Sequence, residues 1–423
     1  MAAAATLTPP VFSAGPAGQP DIAYAPNWDT YQARTKRRVE GEALPATLPE
    51  GFPTQLRSEL VWDGATVSDT YQWWYKLTEE DIAEIDSALQ HFTSLGKPLG
   101  YISQETFPLP KLHATLRDVS RELHRGHGFK VVRGVPVARY TREESVAVYA
   151  GLAAHVAPSR GRQDTRRRGP DDSAEDVVLA HIKDLTATVD PHKIGAPAYT
   201  TEKQVFHTDA GDVIALLALE AAAEGGESYL ASSGHVYNQL AATRPDLIRT
   251  LAEPWNNDEF GKSGPPGYTA RPLLYHQPAR PDADDAPERL IIQYARRSFT
   301  GYWGLPRSAD IPPITEAQAE ALDALHFTAE RSAVALEFQA GDIQFVNNLS
   351  IFHARGSFKD SPEKQRHLVR LWLRDEELAW DTPEQLRPLW DRIYAGVTPE
   401  SQVLPLEPFV RAPASGEKVP GLQ

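Results

Sequence analysis

The chain has 423 residues, 41% of them hydrophobic and 24% charged, the composition of a soluble globular protein with room for one elaborated domain or two ordinary ones. A formal net charge of -14 makes it a poor partner for phosphate backbones, and no apolar run approaches a membrane span, so neither nucleic acid nor membrane is an expected partner. The absence of cysteine excludes disulfides, thiolate metal sites and thiol nucleophiles; with no basic-then-apolar leader at Met1, a cytoplasmic location is expected.

Residues 1–60 are rich in Pro, Ala and Gly and carry little periodicity, which predicts an extended arm that wraps the body or is partly disordered. Residues 61–423 read as one unit with three parts: a helical part (61–175), a strand-rich core (about 176–375) and a C-terminal extension (376–423). Thr78 and Asp81 have capping-box spacing and open a helix through Ile82, Ile85, Leu89 and Phe92. A second helix uses Leu112, Leu116, Val119 and Leu123 and stops at Gly126 and Gly128. Phe129 to Val132 reads as a strand, and Thr141 with Glu144 opens another helix. Residues 159–175, with Arg166, Arg167 and Arg168, read as a solvated loop rather than an anion-binding lid.

After Val177 short apolar runs alternate with Gly, Pro and Asn: 177–182, 213–219, 290–294, 334–338, 343–346 and 368–373. That spacing predicts a β-sandwich or barrel, interrupted by a helix over 236–251 and another opened by Thr315 and Gln318. Residues 278–288 read as a loop, and the tail after Asp375 as a segment packed across the barrel wall.

The chemistry centres on Val205-Phe206-His207-Thr208-Asp209. Residues two apart on a strand share a face, so His207 and Asp209 can reach one metal ion together. Asp212 is three residues from His207 and points to the other face. His353 is the candidate third ligand, although a lone histidine is more often a packed one. Two histidines and one carboxylate on one face of an octahedron form the facial triad of non-haem Fe(II) oxygenases. Arg366 and Arg370 share a strand face, and a guanidinium fork suits carboxylates. Arg370 has two readings: a ligand for an acidic group of the substrate, or a structural ion pair. Ile343 and Phe345 also have two: apolar walls of a substrate pocket, or barrel core below it. For His181 and His367 a buried or surface histidine is the better reading.

The order of His207-x-Asp209, Gly225-Gly226-Glu227-Ser228, Gly341-Asp342, His353 and Arg366 resembles the taurine dioxygenase and clavaminate synthase branch of Fe(II)/2-oxoglutarate oxygenases, over roughly residues 125–380. The resemblance implies a mainly β fold with helical elaborations, a double-stranded β-helix or jelly roll of clavaminate synthase type. It implies Fe(II) on His207, Asp209 and His353, with 2-oxoglutarate as cosubstrate and O2 as co-reactant. Arg366 and Ser228 would hold the distal carboxylate of 2-oxoglutarate; Ser228 stands where the family often has Thr, and Glu227 where it often has Asp. Arg370 matches an arginine that often takes an acidic group of the primary substrate. The segments 204–209, 342–348 and 367–373 further resemble fungal members that oxidise L-valine and close an aziridine. The implied substrate is a small carboxylate-bearing molecule, an aliphatic amino acid in the narrower reading. Hydroxylation or desaturation of another small acid is the nearest alternative. A Zn(II) hydrolase or isomerase on a cupin-like barrel is a more distant one, since it has no need for a second carboxylate cradle.

Overall fold

The computed structural model describes residues 15–164, 175–260, 267–280 and 287–411. Two facing β-sheets form the centre. The larger has seven strands, in the order Trp74–Lys76, Phe129–Arg133, Ile343–Asn347, Val213–Glu220, His367–Arg374 and Ser159–Arg160, with Leu179–Lys183 also on His367–Arg374. The smaller runs Val334–Leu336, Ser228–Ser232, Ile351–Arg355 and Gln204–His207. This is the jelly roll implied by the resemblance. No helix among the described residues is long and apolar enough to cross a membrane.

Strand alternation decides what enters the barrel. Val369, Leu371 and Leu373 point outward with Val213, Ala215 and Leu217 and pack under the helices Glu79–Ser94, Leu112–Arg125 and Arg142–Val156. Arg370 and Trp372, on the other parity, point inward. The three helices start and stop where local chemistry dictates. Thr78 and Asp81 form a reciprocal capping box, as do Thr141 and Glu144, and the 112–125 helix ends at Gly126. The Arg142–Val156 helix is buried from Ser145 to its end, as expected of a helix apolar on all sides.

Three expectations need correction. The helix expected over 236–251 is two, Ser233–Thr243 and Pro245–Ala252, because Pro245 lacks an N–H and its ring clashes with the preceding turn. Ile343 and Phe345 are not pocket walls: both are fully buried in the core beneath the helical layer, paired with Leu217 and Ala215. Their neighbour Gln344 takes the inward position instead.

The third correction concerns the N-terminal arm, which carries the helix Trp28–Gly41, capped by the Asn27 side chain. Its fully buried residues are Arg34 and Arg38, with Trp28 and Tyr31 packed on Phe327 beside them, so no sustained hydrophobic period announces it. Both arginines meet the helix Glu316–Arg331, whose Glu316, Glu320 and Asp323 fall on one face. Arg34 Nη1 lies 2.7 Å from Asp323 Oδ2, and Arg296 Nη2 lies 2.7 Å from Asp323 Oδ1, all three side chains buried. The tail does pack on the barrel: Trp380 and Trp390 are buried, and Trp390 Nε1 donates to Asp212 Oδ1 at 2.7 Å. Residues 166–168 lie outside the described residues.

Removing one partner of a buried ion pair strands the other charge, at a cost of about 3–5 kcal/mol. Asp323→Ala leaves Arg296 without its carboxylate and Arg34 with Glu316 alone, so its unfolding free energy, read from urea denaturation, is expected to fall by about 3–5 kcal/mol. Arg37→Ala, whose side chain is 64% exposed 3.9 Å from Glu316, should change stability by at most about 0.5 kcal/mol. Equal losses in the two variants would contradict the buried-network reading.

Candidate metal centre

The small sheet brings the first two ligands together by register alone. His353 and His207 are directly paired residues on antiparallel strands, with ring centroids 4.1 Å apart. Asp209 follows two residues later, as the chain leaves the strand. Its Oδ1 lies 3.8 Å from His207 Nε2 and its Oδ2 3.9 Å from His353 Nε2. Among the described residues this is the only set of three or more His, Asp or Glu side chains grouped closely enough for a metal, with donor atoms within 4.8 Å of one another.

The surrounding backbone fixes the aspartate. Asn348 Oδ1 accepts from Asp209 N at 2.8 Å, while Asn348 Nδ2 donates to the carbonyls of Asp209 and Gly211, each at 2.8 Å. Gln293 Nε2 also donates to the Asp209 carbonyl, at 3.3 Å. Asn348 is a clamp that sequence reading missed; its only advance signal was a paired Asn347-Asn348 ahead of His353.

The donor set fits Fe(II). His207 Nδ1 sits 2.9 Å from the Val205 carbonyl, which can only accept, so the proton is on Nδ1 and the Nε2 lone pair faces Asp209. The Gln204 amide donates to that Nε2 at 2.9 Å, a contact that metal binding displaces. Burial, helped by the neighbouring His207, holds the His353 imidazole down to about 3, so it is neutral and able to ligate at ordinary pH. Burial opposes ionisation of Asp209, but Arg370 first, then His353 and His207, outweigh it and hold the carboxyl well below the usual carboxylate range. Asp212 takes no part: its carboxylate pairs with Arg374 Nη1 at 2.6 Å and with Trp390.

A cavity beside the triad is lined by His207 and His353, by Arg355, Arg366, Arg370 and Ser228, and by the apolar Ile182, Leu216, Phe338 and Leu368. These four residues form the apolar wall once expected of Ile343 and Phe345. Arg366 is 5% exposed, and its Nη1 has no hydrogen-bond partner. Burial lowers its pKa to about 9, with Arg355 adding to the effect. Gly226 makes room for it, since a Cβ there would stand 3.0 Å from Arg366 Nε. Ser228 Oγ donates to Gln344 Oε1 at 2.8 Å.

Arg355 is the second residue that sequence reading missed. It lies two residues past His353 on the same strand face, packs 4.9 Å from the Phe358 ring that Arg366 also covers, and leaves Nη1 without a partner. Two buried guanidiniums with orphaned donors in one cavity fit a small dianion, and 2-oxoglutarate is one. Arg370 is tied differently. Its Nη1 donates to Asp209 Oδ2 at 2.5 Å and its Nε to Gln163 Oε1 at 2.9 Å, with Nη2 unpartnered. His181 and His367 lie outside the centre. They hydrogen-bond each other at 2.7 Å and are buried, as the plainer reading had them.

Comparison with known proteins agrees with this geometry. A family model described as Taurine catabolism dioxygenase TauD, TfdA family matches residues 95–372. The taurine hydroxylase-like protein SAT17 of Stachybotrys chartarum is 38% identical over 347 residues, covering 80% of this chain and 85% of that protein. In fold, the chain is similar to an asparagine oxygenase solved with Fe(II), 2S,3S-3-hydroxyasparagine and succinate. The TM-score is 0.50 at 16% identity, over 72% of this chain and 94% of that one. It is also similar to the non-haem iron oxygenase OrfP solved with Fe, succinate and (3S)-hydroxy-L-Arg. That TM-score is 0.52 at 14% identity, over 77% of this chain and 98% of the other. The matched span and the 38% relative together place the chain in the TauD/TfdA family, and it is a non-haem Fe(II)/2-oxoglutarate-dependent dioxygenase.

Proposed function

We propose that the enzyme oxidises a small aliphatic α-amino acid at its β-carbon, with L-valine as substrate and an aziridine as product. The observation that carries the substrate class is Arg370 Nη2. It is a buried guanidinium nitrogen with no partner, on a side chain bonded to the metal ligand Asp209, in the cavity that Arg355 and Arg366 also line. Further support comes from the two solved neighbours, whose bound amino acids both carry oxygen at the carbon next to the α-carbon. In valine that carbon bears a tertiary hydrogen. The likeness of segments 204–209, 342–348 and 367–373 to fungal valine oxygenases supports the narrower reading.

In this reading His207, Asp209 and His353 hold iron, while Arg366, Arg355 and Ser228 hold the distal carboxylate of 2-oxoglutarate. When bound, iron and cosubstrate supply the oxidising equivalents that remove hydrogen from an unactivated C–H bond. The chain contributes position and exclusion of water. The apolar wall of Ile182, Leu216, Phe338 and Leu368 lines the cavity that would take the cosubstrate chain and would strengthen each charge contact by keeping the local dielectric low. Arg370 holds Asp209 ionised and orients it. Ring closure balances as valine, 2-oxoglutarate and O2 giving aziridine-carboxylate, succinate, CO2 and water, so the amine replaces oxygen at the β-carbon. Hydroxylation would use the same residues and differ only in what reaches that carbon first.

Three measurements test this. Arg366→Ala removes a charge-assisted contact worth about 1.5–3 kcal/mol, so the 2-oxoglutarate requirement should rise at least about 10-fold and succinate production should fall steeply at ordinary cosubstrate levels. An unchanged requirement would remove Arg366 from the cradle. His353→Ala should leave a folded protein without bound iron by elemental analysis; full iron content would exclude His353 as a ligand. Incubation with L-valine should give a product two hydrogens lighter with no olefinic carbon by NMR; an olefin would replace ring closure with desaturation, and a product heavier by one oxygen would replace it with hydroxylation.

A further inference from the structure

The strand His367–Arg374 presents Leu368, Arg370 and Trp372 in order on its inward face. Leu368 and Arg370 line the cosubstrate cavity; Trp372 does not. Asp209 Oδ2 accepts from both Arg370 Nη1 and Trp372 Nε1, the latter at 3.3 Å. Trp372 therefore lies beyond the metal ligand, on the side away from Leu368 and the 2-oxoglutarate cradle.

A second guanidinium waits there. The C-terminal tail returns to the barrel by pairing Gln402–Val403 in parallel with Asp176–Val177. His181 Nε2 then donates to the Pro405 carbonyl at 2.8 Å, and Val410 is buried beside Ile182 and Tyr199. This anchoring delivers Arg411 to the Trp372 ring, with its guanidinium carbon 5.4 Å from the ring centroid. Arg370 packs at 5.0 Å from the same ring. Arg411 Nη1 donates to the Gln163 carbonyl at 2.8 Å, and the Gln163 side chain holds Arg370 Nε. Arg411 Nε is buried with no hydrogen-bond partner. One carboxylate, Asp209, already shared by Arg370 and the metal, cannot neutralise this second cation as well. A buried donor left unmatched by the protein is a feature that calls for a ligand.

We propose that Arg411, stacked on Trp372, receives the carboxylate of the primary substrate and sets its orientation beside the metal. The assignment rests on the amino-acid reading given above and adds to it the residue that selects the substrate's acidic end. Arg411 lies beyond residues 95–372, the span shared with the family model, so the device belongs to the C-terminal extension.

The test is calorimetric titration of the enzyme loaded with Ni(II) and 2-oxoglutarate, which binds but does not turn over. The probes are L-valine and L-valinamide, whose carboxylate is replaced by a neutral amide. The wild type should bind L-valine at least about 10-fold more tightly than the amide. Arg411→Gln should lose that preference and bind L-valine at least about 10-fold more weakly, as expected for one charge-assisted contact. Its melting temperature and 2-oxoglutarate affinity should stay at wild-type values. If R411Q melts early, Arg411→Met keeps the apolar stem on Trp372 and the same ratio is read there. A wild-type L-valine affinity in these variants overturns the assignment and leaves the amino-acid reading standing. A wild type that binds neither L-valine nor L-isoleucine, L-leucine, L-asparagine or L-arginine overturns the amino-acid reading, and this inference with it.

Discussion

The site depends on one cross-strand pair. His207 and His353 face each other because Gln204–His207 and Ile351–Arg355 are antiparallel neighbours in register at that point. A slip of one residue in either strand would turn its imidazole to the opposite face, against the helices that pack on Phe206 and Phe352, and break the pair. Those two aromatic residues are therefore as much a part of the centre as the ligands. Their burial fixes the register, and the register fixes the imidazole pair. Asp209 needs a separate device because it lies past the strand end, and Asn348 supplies it by bonding both sides of the turn.

Charge organises the rest. Arg355, Arg366, Arg370 and Arg411 converge on a region where, among the described residues, Asp209 is the one carboxylate of the candidate metal triad. Each has at least one buried nitrogen without a partner. In a protein of net charge -14, such a concentration of buried guanidiniums with unmatched donors is a local feature with a local purpose. Stability alone does not account for it, since burying guanidiniums without counterions is costly. The contrast with the N-terminal helix is instructive. There Arg34 is as deeply buried, but Asp323 and Glu316 satisfy it, and the result is a structural clamp.

Much of this was legible in the sequence because it follows from short-range geometry. The His-x-Asp spacing, the capping boxes at Thr78, Thr141 and Thr315, and the parity that sets Arg366 beside Arg370 are all local rules. What failed depended on which side of a strand faces the barrel, which period-two alternation cannot decide. Ile343 and Phe345 share a face, as expected, but that face meets helices and not substrate. The Trp28–Gly41 helix failed for the opposite reason: its buried stripe is arginine, invisible to any hydrophobic pattern. Arg355, Asn348 and Arg411 went unread because an unmatched donor, or a clamp across a turn, is defined only by what surrounds it in three dimensions.

The most direct test of the central claim is anaerobic addition of Fe(II) and then 2-oxoglutarate to the metal-free enzyme, followed by visible absorption. The account predicts a weak charge-transfer band that saturates at one iron and one 2-oxoglutarate per chain and is absent when either is omitted. Iron that binds with no such band on addition of the keto acid would show that the triad and the arginine cradle do not form one site.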